Sequence, residues 1–505
     1  MKIAFITAEC ELLGVEYLSS VLKMRGHSTK LFFDPVLFQG QYIRSNILSK
    51  VFDYNGVLMR RLQQYKPDVV ALSVITPLSH WALNVAKHVK AAMSVPVVFG
   101  GIHPTTLPEH VLQHSCVDFV VRGEGEYALA DLVDALAEKK KDFDIKNIWY
   151  KKGTRIFKNE VRPLCEDLDS LPLPDKQFFY EEACKQDDYT IMTGRGCPHS
   201  CSYCNSSYMK ELYRNKGSFI RKRSVANVIH ELEYAKKNFK PKIVIFDDEL
   251  LTYDIKWLDQ FSSIYEKKIG LMSFCWVSPN SITAQSVRCL KRLSCYSVEM
   301  GVQTLNERIR REILHRYYSN EQVADAIKIL QKNRIKCITE YIFGLPQERV
   351  GDYRQIIDFH KRARADKVNV YMLRLFPKTK IIEKMNFDAQ SRQQLNGETE
   401  SPPFTMIGKK NNPQIQLYQS AILLLNILPP EGVEFLLEKK MTGILKFFGA
   451  IYTFFNGILW FGNPFEYIQR WICAGSIVFF RKVGFMRYVK YPAIILAYAV
   501  RKKFR

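Results

Sequence analysis

Cys197, Cys201 and Cys204 fall within eight residues, Cys197-Pro-His-Ser-Cys201-Ser-Tyr-Cys204, directly behind Thr193-Gly194-Arg195-Gly196. Three thiols on one short loop are too close together for a disulfide framework and one ligand short of a closed zinc site. Soft thiolates select zinc, copper(I) or an iron–sulfur cluster. An iron–sulfur cube ordinarily takes four cysteines, so three leave one iron open to a ligand that is not protein. A zinc knuckle completed by a distant fourth ligand is the competing reading, and the run alone leaves both open.

Three further patterns follow apolar runs downstream: Asp247-Asp248-Glu249, Ser297-Val298-Glu299-Met300-Gly301-Val302-Gln303-Thr304, and Tyr341-Ile342-Phe343-Gly344-Leu345-Pro346. Each alone reads as an acidic turn or a tight loop. Taken in order after the C-x3-C-x2-C run, with an aromatic (Tyr203) before its last cysteine, they resemble the radical S-adenosylmethionine enzymes. The resemblance implies a 4Fe-4S cluster on Cys197, Cys201 and Cys204 whose open iron chelates S-adenosylmethionine. An external electron donor then reduces the cluster, and the sulfonium breaks to give a 5′-deoxyadenosyl radical. It also implies that Tyr203, Glu249, Glu299, Gln303 and Gly344 surround that cofactor: Glu249 near the methionine amino group, Glu299 and Gln303 near ribose and carboxylate, Gly344 near adenine. The stretch Arg308-Ile309-Arg310-Arg311 reads instead as a solvated helix face.

Upstream, Gly100-Gly101-Ile102-His103-Pro104-Thr105 and Arg122-Gly123-Glu124-Gly125-Glu126 each follow a short apolar run. Glycines there let backbone approach a ligand closely. Neither is a dinucleotide fingerprint, because Ala8–Gly14 lacks G-x-G-x-x-G. Together with Gly14 and Gly26-His27 they resemble the cobalamin-binding domain that precedes many radical S-adenosylmethionine enzymes. Gly100, Gly101, His103, Gly123 and Glu124 are then the cofactor-facing residues. One departure stands out: no D-x-H-x-x-G string supplies a histidine for cobalt. His103 is read first as a turn histidine, so cobalamin is expected without a protein imidazole on cobalt, or the domain is a cobalamin-free relic.

The elements that must position these residues come in two α/β series. Strands are expected at residues 2–7, 29–33, 69–74, 95–99 and 118–121, with helices at 14–25, 80–93 and 125–138. That pattern makes a doubly wound, Rossmann-like sheet over residues 1–141, with ligands at its carboxyl ends. Residues 142–188 read as a linker with a hairpin at 148–157 and a boundary near Asp175. The second series, over 189–376, has strands at 189–193, 242–246, 272–277, 297–301, 337–343 and 367–373, which fits a partial (β/α)6 TIM-type barrel with function at its strand ends. Residues 377–505 are expected to be a helical, basic and hydrophobic region, with a polar loop or lid at 390–414 and apolar stretches at 417–428, 444–461, 472–480 and 491–500.

Composition supports a large globular enzyme: 505 residues, 47% hydrophobic and 25% charged. Twelve cysteines without regular spacing beyond the triplet fit a reducing cytoplasm, and the first residues read as a strand, not a secretory segment. The formal charge of +22 calls for an anionic partner. From Leu436 onward, twelve Lys or Arg stand against Glu438 and Glu466, amid Phe, Trp, Ile and Leu. That mixture favours a membrane surface over nucleic acid, with a buried helical subdomain as the alternative. The function expected is methyl transfer to an unactivated carbon of a small, lipid-like molecule. The rivals are a radical cyclisation or rearrangement with non-methylating cobalamin, and a noncatalytic metal- or cobalamin-carrying protein at a membrane surface.

Overall fold

The computed structural model describes residues 1–8, 10–36, 46–182, 187–385, 389–398 and 413–449. Among them the first sheet is built from β1 (Lys2–Ala8), β2 (Ser28–Asp34), β3 (Val69–Ser73), β4 (Val97–Gly100) and β5 (Phe119–Val121), all parallel. Their interior residues are apolar on both faces because helices cover both sides, as a parallel sheet requires. The order β2-β1-β3-β4-β5 is doubly wound, with its switch point between β1 and β3.

The expected hairpin forms as β6 (Ile148–Lys152) and β7 (Arg155–Lys158), turning at Gly153 with φ +58°. It is not a free-standing connector. β6 pairs antiparallel with β5, so the first sheet extends to seven strands and runs past residue 141. The apolar Ile148, Trp149 and Tyr150 are the reason: they are buried against the core of the first sheet.

The second sheet holds β8 (Asp188–Ile191), then β11 (Ile243–Phe246), β12 (Met272–Val277), β13 (Cys295–Gln303), β14 (Lys336–Phe343) and β15 (Lys367–Met372), reached after a short antiparallel ladder of β9 (Gly194–Arg195) and β10 (Arg221–Lys222). These six strands pair in strict sequence order, all parallel, with helices between them. This is the open barrel expected from the sequence. Burial alternates along β14, with Cys337, Thr339, Tyr341 and Phe343 buried and packed toward the helices. Ile338, Glu340 and Ile342 therefore face the barrel interior.

Two polar joints hold the sheets together. Lys176, buried in the connector, donates to the Thr190 carbonyl at 2.6 Å and pairs with Glu16 at 2.7 Å and Glu11 at 3.1 Å. Asp175, beside it, accepts from Ser19 Oγ at 2.5 Å and pairs with Lys23 at 2.6 Å. The second joint lies at the cysteine loop.

Beyond the barrel, helices Pro413–Leu424 and Pro430–Glu438 pack on helix Val350–Arg362 and β15, burying Ala421, Ile422, Leu424 and Val433. Asn426 closes the edge strand, accepting from Val368 N at 2.7 Å and donating to its carbonyl at 2.9 Å. The apolar stretch expected at 417–428 thus begins as a helix four residues earlier. Among the described residues no helix is long and apolar enough to cross a membrane. Most of 444–461, and all of 472–480 and 491–500, lie outside the described residues.

Candidate active site

The cysteine loop leaves the carboxyl end of β8. Its root is pinned by Asp248, which follows β11 and accepts from Thr193 N at 3.0 Å, Thr193 Oγ1 at 2.7 Å and Lys222 Nζ at 3.1 Å. Gly196 has φ +92°, and a Cβ there would collide with the Phe219 carbonyl, so only glycine lets the loop turn against its ladder. Cys204 is the N-cap residue of helix Asn205–Leu212. Between the outer cysteines, Ser202 N donates to the Leu314 carbonyl at 3.1 Å, Ser202 Oγ to that of Ile313 at 2.5 Å, and Ile381 N to the Ser202 carbonyl at 2.9 Å. The loop is thereby fastened to the barrel at its middle as well as at its root.

Burial raises the Cys197 thiol to about 11 and the Cys204 thiol to about 12, so the free side chains stay protonated at neutral pH. Among the described residues no three His, Cys, Asp or Glu side chains gather as a single-ion site. An iron–sulfur cube makes a different demand, since each cysteine binds a separate iron. Three soft donors on one fastened loop suit it.

Around this loop the expected residues take different places. Tyr203 packs on Ile309, Ile313, Leu314, Leu345 and Ile381, and its hydroxyl accepts from Arg316 Nη1 at 3.1 Å. Glu249 lies at the rim, accepting from Ser206 Oγ at 3.1 Å on the helix that follows the cysteines. Glu299, on β13, accepts from Asn369 Nδ2 at 2.7 Å. Gln303, buried with φ +66°, sits at the irregularity where β13 ends, and its amide fills the space over Gly301. Gly344 has φ +78°, and its N–H donates to Glu348 Oε2 at 2.8 Å.

Sequence reasoning missed three residues here. Arg316 reaches Cys201 Sγ at 3.8 Å and donates from Nη2 to the Gly301 carbonyl at 2.9 Å. Glu340 pairs in register with Asn369 and faces Glu299; burial, and then the charge of Glu299, push its carboxyl well above the carboxylate range. Glu348 accepts from Gly344 N, from Leu345 N at 3.0 Å and from Tyr353 Oη at 2.8 Å, and burial raises it to about 7. The available signal for Glu340 was a carboxylate at an alternate position of an otherwise apolar strand. The expectation for Arg308–Arg311 needs correction: Arg308 and Arg311 are exposed, but Arg310 is fully buried, donating to the Thr304 carbonyl at 2.9 Å and to Asn320 Oδ1 at 2.8 Å, with its guanidinium over Tyr318. It is a structural clamp, closing the turn between Thr304 and Asn320 and pairing with Glu307 at 3.2 Å.

At the first sheet, Gly100 ends β4 and Gly101 has φ +95°; a Cβ at Gly101 would lie 2.8 Å from both Val74 N and Val74 O. His103 is completely buried. Its Nδ1 lies 3.2 Å from Thr76 Oγ1, its Nε2 has no hydrogen-bond partner, and burial lowers it to about 3, so the ring is neutral. Residues after the barrel return here: Gly397 packs on Ser79 and His103, and Glu398 lies 3.3 Å from His110 Nε2. Gly123 and Glu124 are engaged by the second unit. A Cβ at Gly123 would collide with the Tyr213 hydroxyl, which accepts from Glu124 N at 2.7 Å. The Glu124 carboxylate accepts from Arg195 at 3.0 Å, Arg221 at 2.7 Å and Cys165 N at 3.1 Å, and these arginines hold it below the usual range against burial, which acts the other way. Arg195 also binds Glu126 at 2.6 Å. The carboxyl end of β5 is therefore clamped to the ladder from which the cysteine loop springs.

Residues 3–133 match the family model of the B12 binding domain, and residues 191–360 match that of the Radical SAM superfamily. An uncharacterized methyltransferase of Pyrococcus horikoshii is 29% identical over 64% of this chain and 70% of its own length. The anaerobic magnesium-protoporphyrin IX monomethyl ester cyclase of Rubrivivax gelatinosus is 23% identical over 74% of this chain and 65% of its own. Among solved structures, the radical S-adenosylmethionine methyltransferase TsrM of Kitasatospora setae, with cobalamin and a [4Fe-4S] cluster bound, superposes with a TM-score of 0.60 at 15% identity, over 75% of this chain and 73% of that one. The cobalamin-dependent radical enzyme OxsB, with aqua-cobalamin bound, gives 0.63 at 14% identity, over 99% and 80%.

Proposed function

The chain belongs to the radical S-adenosylmethionine enzymes that carry a B12 binding domain, and from that premise we propose that it is a cobalamin-dependent methyltransferase acting on an unactivated carbon of a small molecule. The observation that carries this reading is the clamp between the two units. Glu124 and Glu126, at the carboxyl end of β5, bind Arg195 and Arg221 at the root of the cysteine loop, so the ligand end of the first sheet is joined to the loop that carries the thiols.

Cys197, Cys201 and Cys204 would hold the [4Fe-4S] cluster, whose chemistry when bound is one-electron cleavage of S-adenosylmethionine, while cobalamin at the strand ends of the first sheet supplies a methyl carrier. The protein's own part is position and exclusion of water. Asp248, Ser202 and Gly196 fix the loop; Glu299 and Asn369 offer a carboxylate and an amide inside the barrel; Glu340 holds a proton beside them. Gly344, turned by its positive φ and by Glu348, leaves backbone at the end of β14 for a flat ring to rest on. His103 is neutral and held by Thr76, and we assign cobalamin here no protein imidazole. The basic, aromatic tail is assigned to an anionic membrane surface.

A second reading, radical ring closure, is favoured by the likeness to the magnesium-protoporphyrin cyclase. Anaerobic reconstitution with iron, sulfide, cobalamin, S-adenosylmethionine and a reductant, followed by mass spectrometry, separates the two. Methyl transfer yields S-adenosylhomocysteine and a product one methylene heavier. 5′-Deoxyadenosine with neither would overturn the methyltransferase reading, and an iron-free, zinc-loaded protein would overturn both.

A further inference from the structure

Arg316 is the one described cation that touches a cysteine of the loop. Nη1 reaches Cys201 Sγ at 3.8 Å and the Tyr203 hydroxyl at 3.1 Å, Nη2 donates to the Gly301 carbonyl at 2.9 Å, and Nε donates to Tyr318 Oη at 2.9 Å. The Tyr318 hydroxyl in turn lies 2.9 Å from the Gly301 carbonyl and 3.0 Å from that of Val302. Every nitrogen of the guanidinium is thus held, and its plane is fixed between the carboxyl end of β13 and the cysteine loop.

The charge on this group has no ordinary counterpart. Among the described residues no carboxylate lies within ion-pair distance of it, and the ionisable groups it faces most closely are Tyr318, Tyr203 and Cys201. Glu340 lies farther off and feels the charge only after burial and Glu299 have raised it. Cys197 and His199, elsewhere on the loop, also face the guanidinium. A partly buried cation is costly without an anion, and the group within reach that becomes anionic on binding iron is the sulfur of Cys201.

We propose that Arg316 is the resident counter-charge of the cluster held by Cys197, Cys201 and Cys204, and that it sets the potential at which the cluster takes its electron. The inference rests on the cluster assignment above. Reduction adds one electron from a low-potential external donor and makes the cluster more negative. A fixed positive charge and an N–H donor at a ligand sulfur stabilise that form more than the oxidised one, so they raise the reduction potential. Arg316 is a positioning residue in this sense: it acts through the cluster and not on the substrate.

The test is a potentiometric titration of the reconstituted full chain, followed by electron paramagnetic resonance, with R316Q and R316K beside the unaltered protein. At equal iron and sulfide content, R316Q is expected to reduce at a more negative potential, and R316K at a potential between the two. A cluster in R316Q with unchanged potential would overturn the proposal. Should R316Q fail to hold a cluster while R316K holds one, charge is what the site requires and the proposal stands. Loss from both variants, with native circular dichroism, would show that the guanidinium's fork and not its charge is needed, and would overturn it. An unaltered chain that takes up no iron would overturn the cluster assignment itself.

Discussion

At the scale of single residues, the thiols and the histidine make opposite commitments. Each cysteine of the triplet binds one iron in the proposed site, so Cys197→Ala, Cys201→Ala or Cys204→Ala should each abolish iron–sulfur absorption and reductive cleavage of S-adenosylmethionine together. Cys10→Ala, at an exposed position, and Cys289→Ala, on the helix side of the barrel, should leave both unchanged; full 5′-deoxyadenosine formation by any triplet variant would sink the assignment. For His103, electron paramagnetic resonance of the cobalt(II) cofactor in the full chain should show no protein nitrogen, and a nitrogen signal lost in His103→Ala would refute that. The triplet could be singled out in the sequence because ligands on one loop are close in the chain: spacing marks the loop, and the resemblance, not the spacing, proposes the cluster. Glu124 was legible as a feature but its clamp was not, since its partners Arg195 and Arg221 lie 71 and 97 residues away. Arg316 was not legible at all. Its contacts to Cys201 and Tyr203 span 115 and 113 residues, and nothing local marks it.

Elements were the most legible level, because hydrophobic period reports burial directly. The five parallel strands of the first sheet and the six of the barrel fall where apolar runs predicted them, within a few residues. What failed was assignment of edges. The 148–157 hairpin was recognised from its Lys-Gly turn, but which sheet it joins depends on the antiparallel register of β6 with β5, which no local signal specifies. The turn after β14 offers a test at this scale. Glu348 gathers Gly344 N, Leu345 N and Tyr353 Oη, and its carboxyl is raised to about 7 from an ordinary value near 4.5. A carboxyl raised in the native state binds its proton more tightly there than in the unfolded chain. Its contribution is therefore most favourable below pH 4.5 and is lost as pH rises through 7. Urea denaturation of the metal-free protein should show the stability difference between the unaltered chain and Glu348→Gln changing between pH 5 and pH 8, with the glutamine variant gaining relative to the parent as pH rises. A pH-independent difference would mean that the carboxyl is ionised throughout. The clamp between the sheets offers another. Glu124→Ala leaves Arg221 largely buried without its carboxylate and Arg195 with Glu126 alone, and breaking such a pair costs about 3–5 kcal/mol. A melting temperature within a degree or so of the parent's would show that the clamp is not what joins the units.

For the molecule as a whole, the basic tail's assignment to a membrane surface starts from what precedes it. Residues 413–438 are part of the barrel's cover, because their apolar face is buried on helix Val350–Arg362 and Glu434 pairs with Arg354 at 3.1 Å and Lys361 at 2.7 Å. The next described turns have two faces: Leu445 is buried in the same core, while Ile444, Phe447 and Phe448 are exposed, beside Lys439, Lys440 and Lys446. Apolar side chains flanked by lysines suit the boundary of an anionic bilayer, where each basic residue near the surface adds about 1 kcal/mol of attraction and the aromatic groups add burial. Binding of the full chain to vesicles containing phosphatidylserine should then weaken as salt is raised, since surface charges are screened beyond about 10 Å at 0.1 M. Phe447→Asp with Phe448→Asp should weaken it at every salt concentration, because burial is lost and like charge is added. Removing residues 450–505, which leaves the buried Leu445 in place, should weaken that binding and leave cluster assembly and S-adenosylmethionine cleavage intact, since the cysteine loop and every barrel strand precede Lys378. A full chain indifferent to vesicles, or a truncated one that precipitates, would place those phenylalanines against protein instead, and the tail would then be a further layer of the fold.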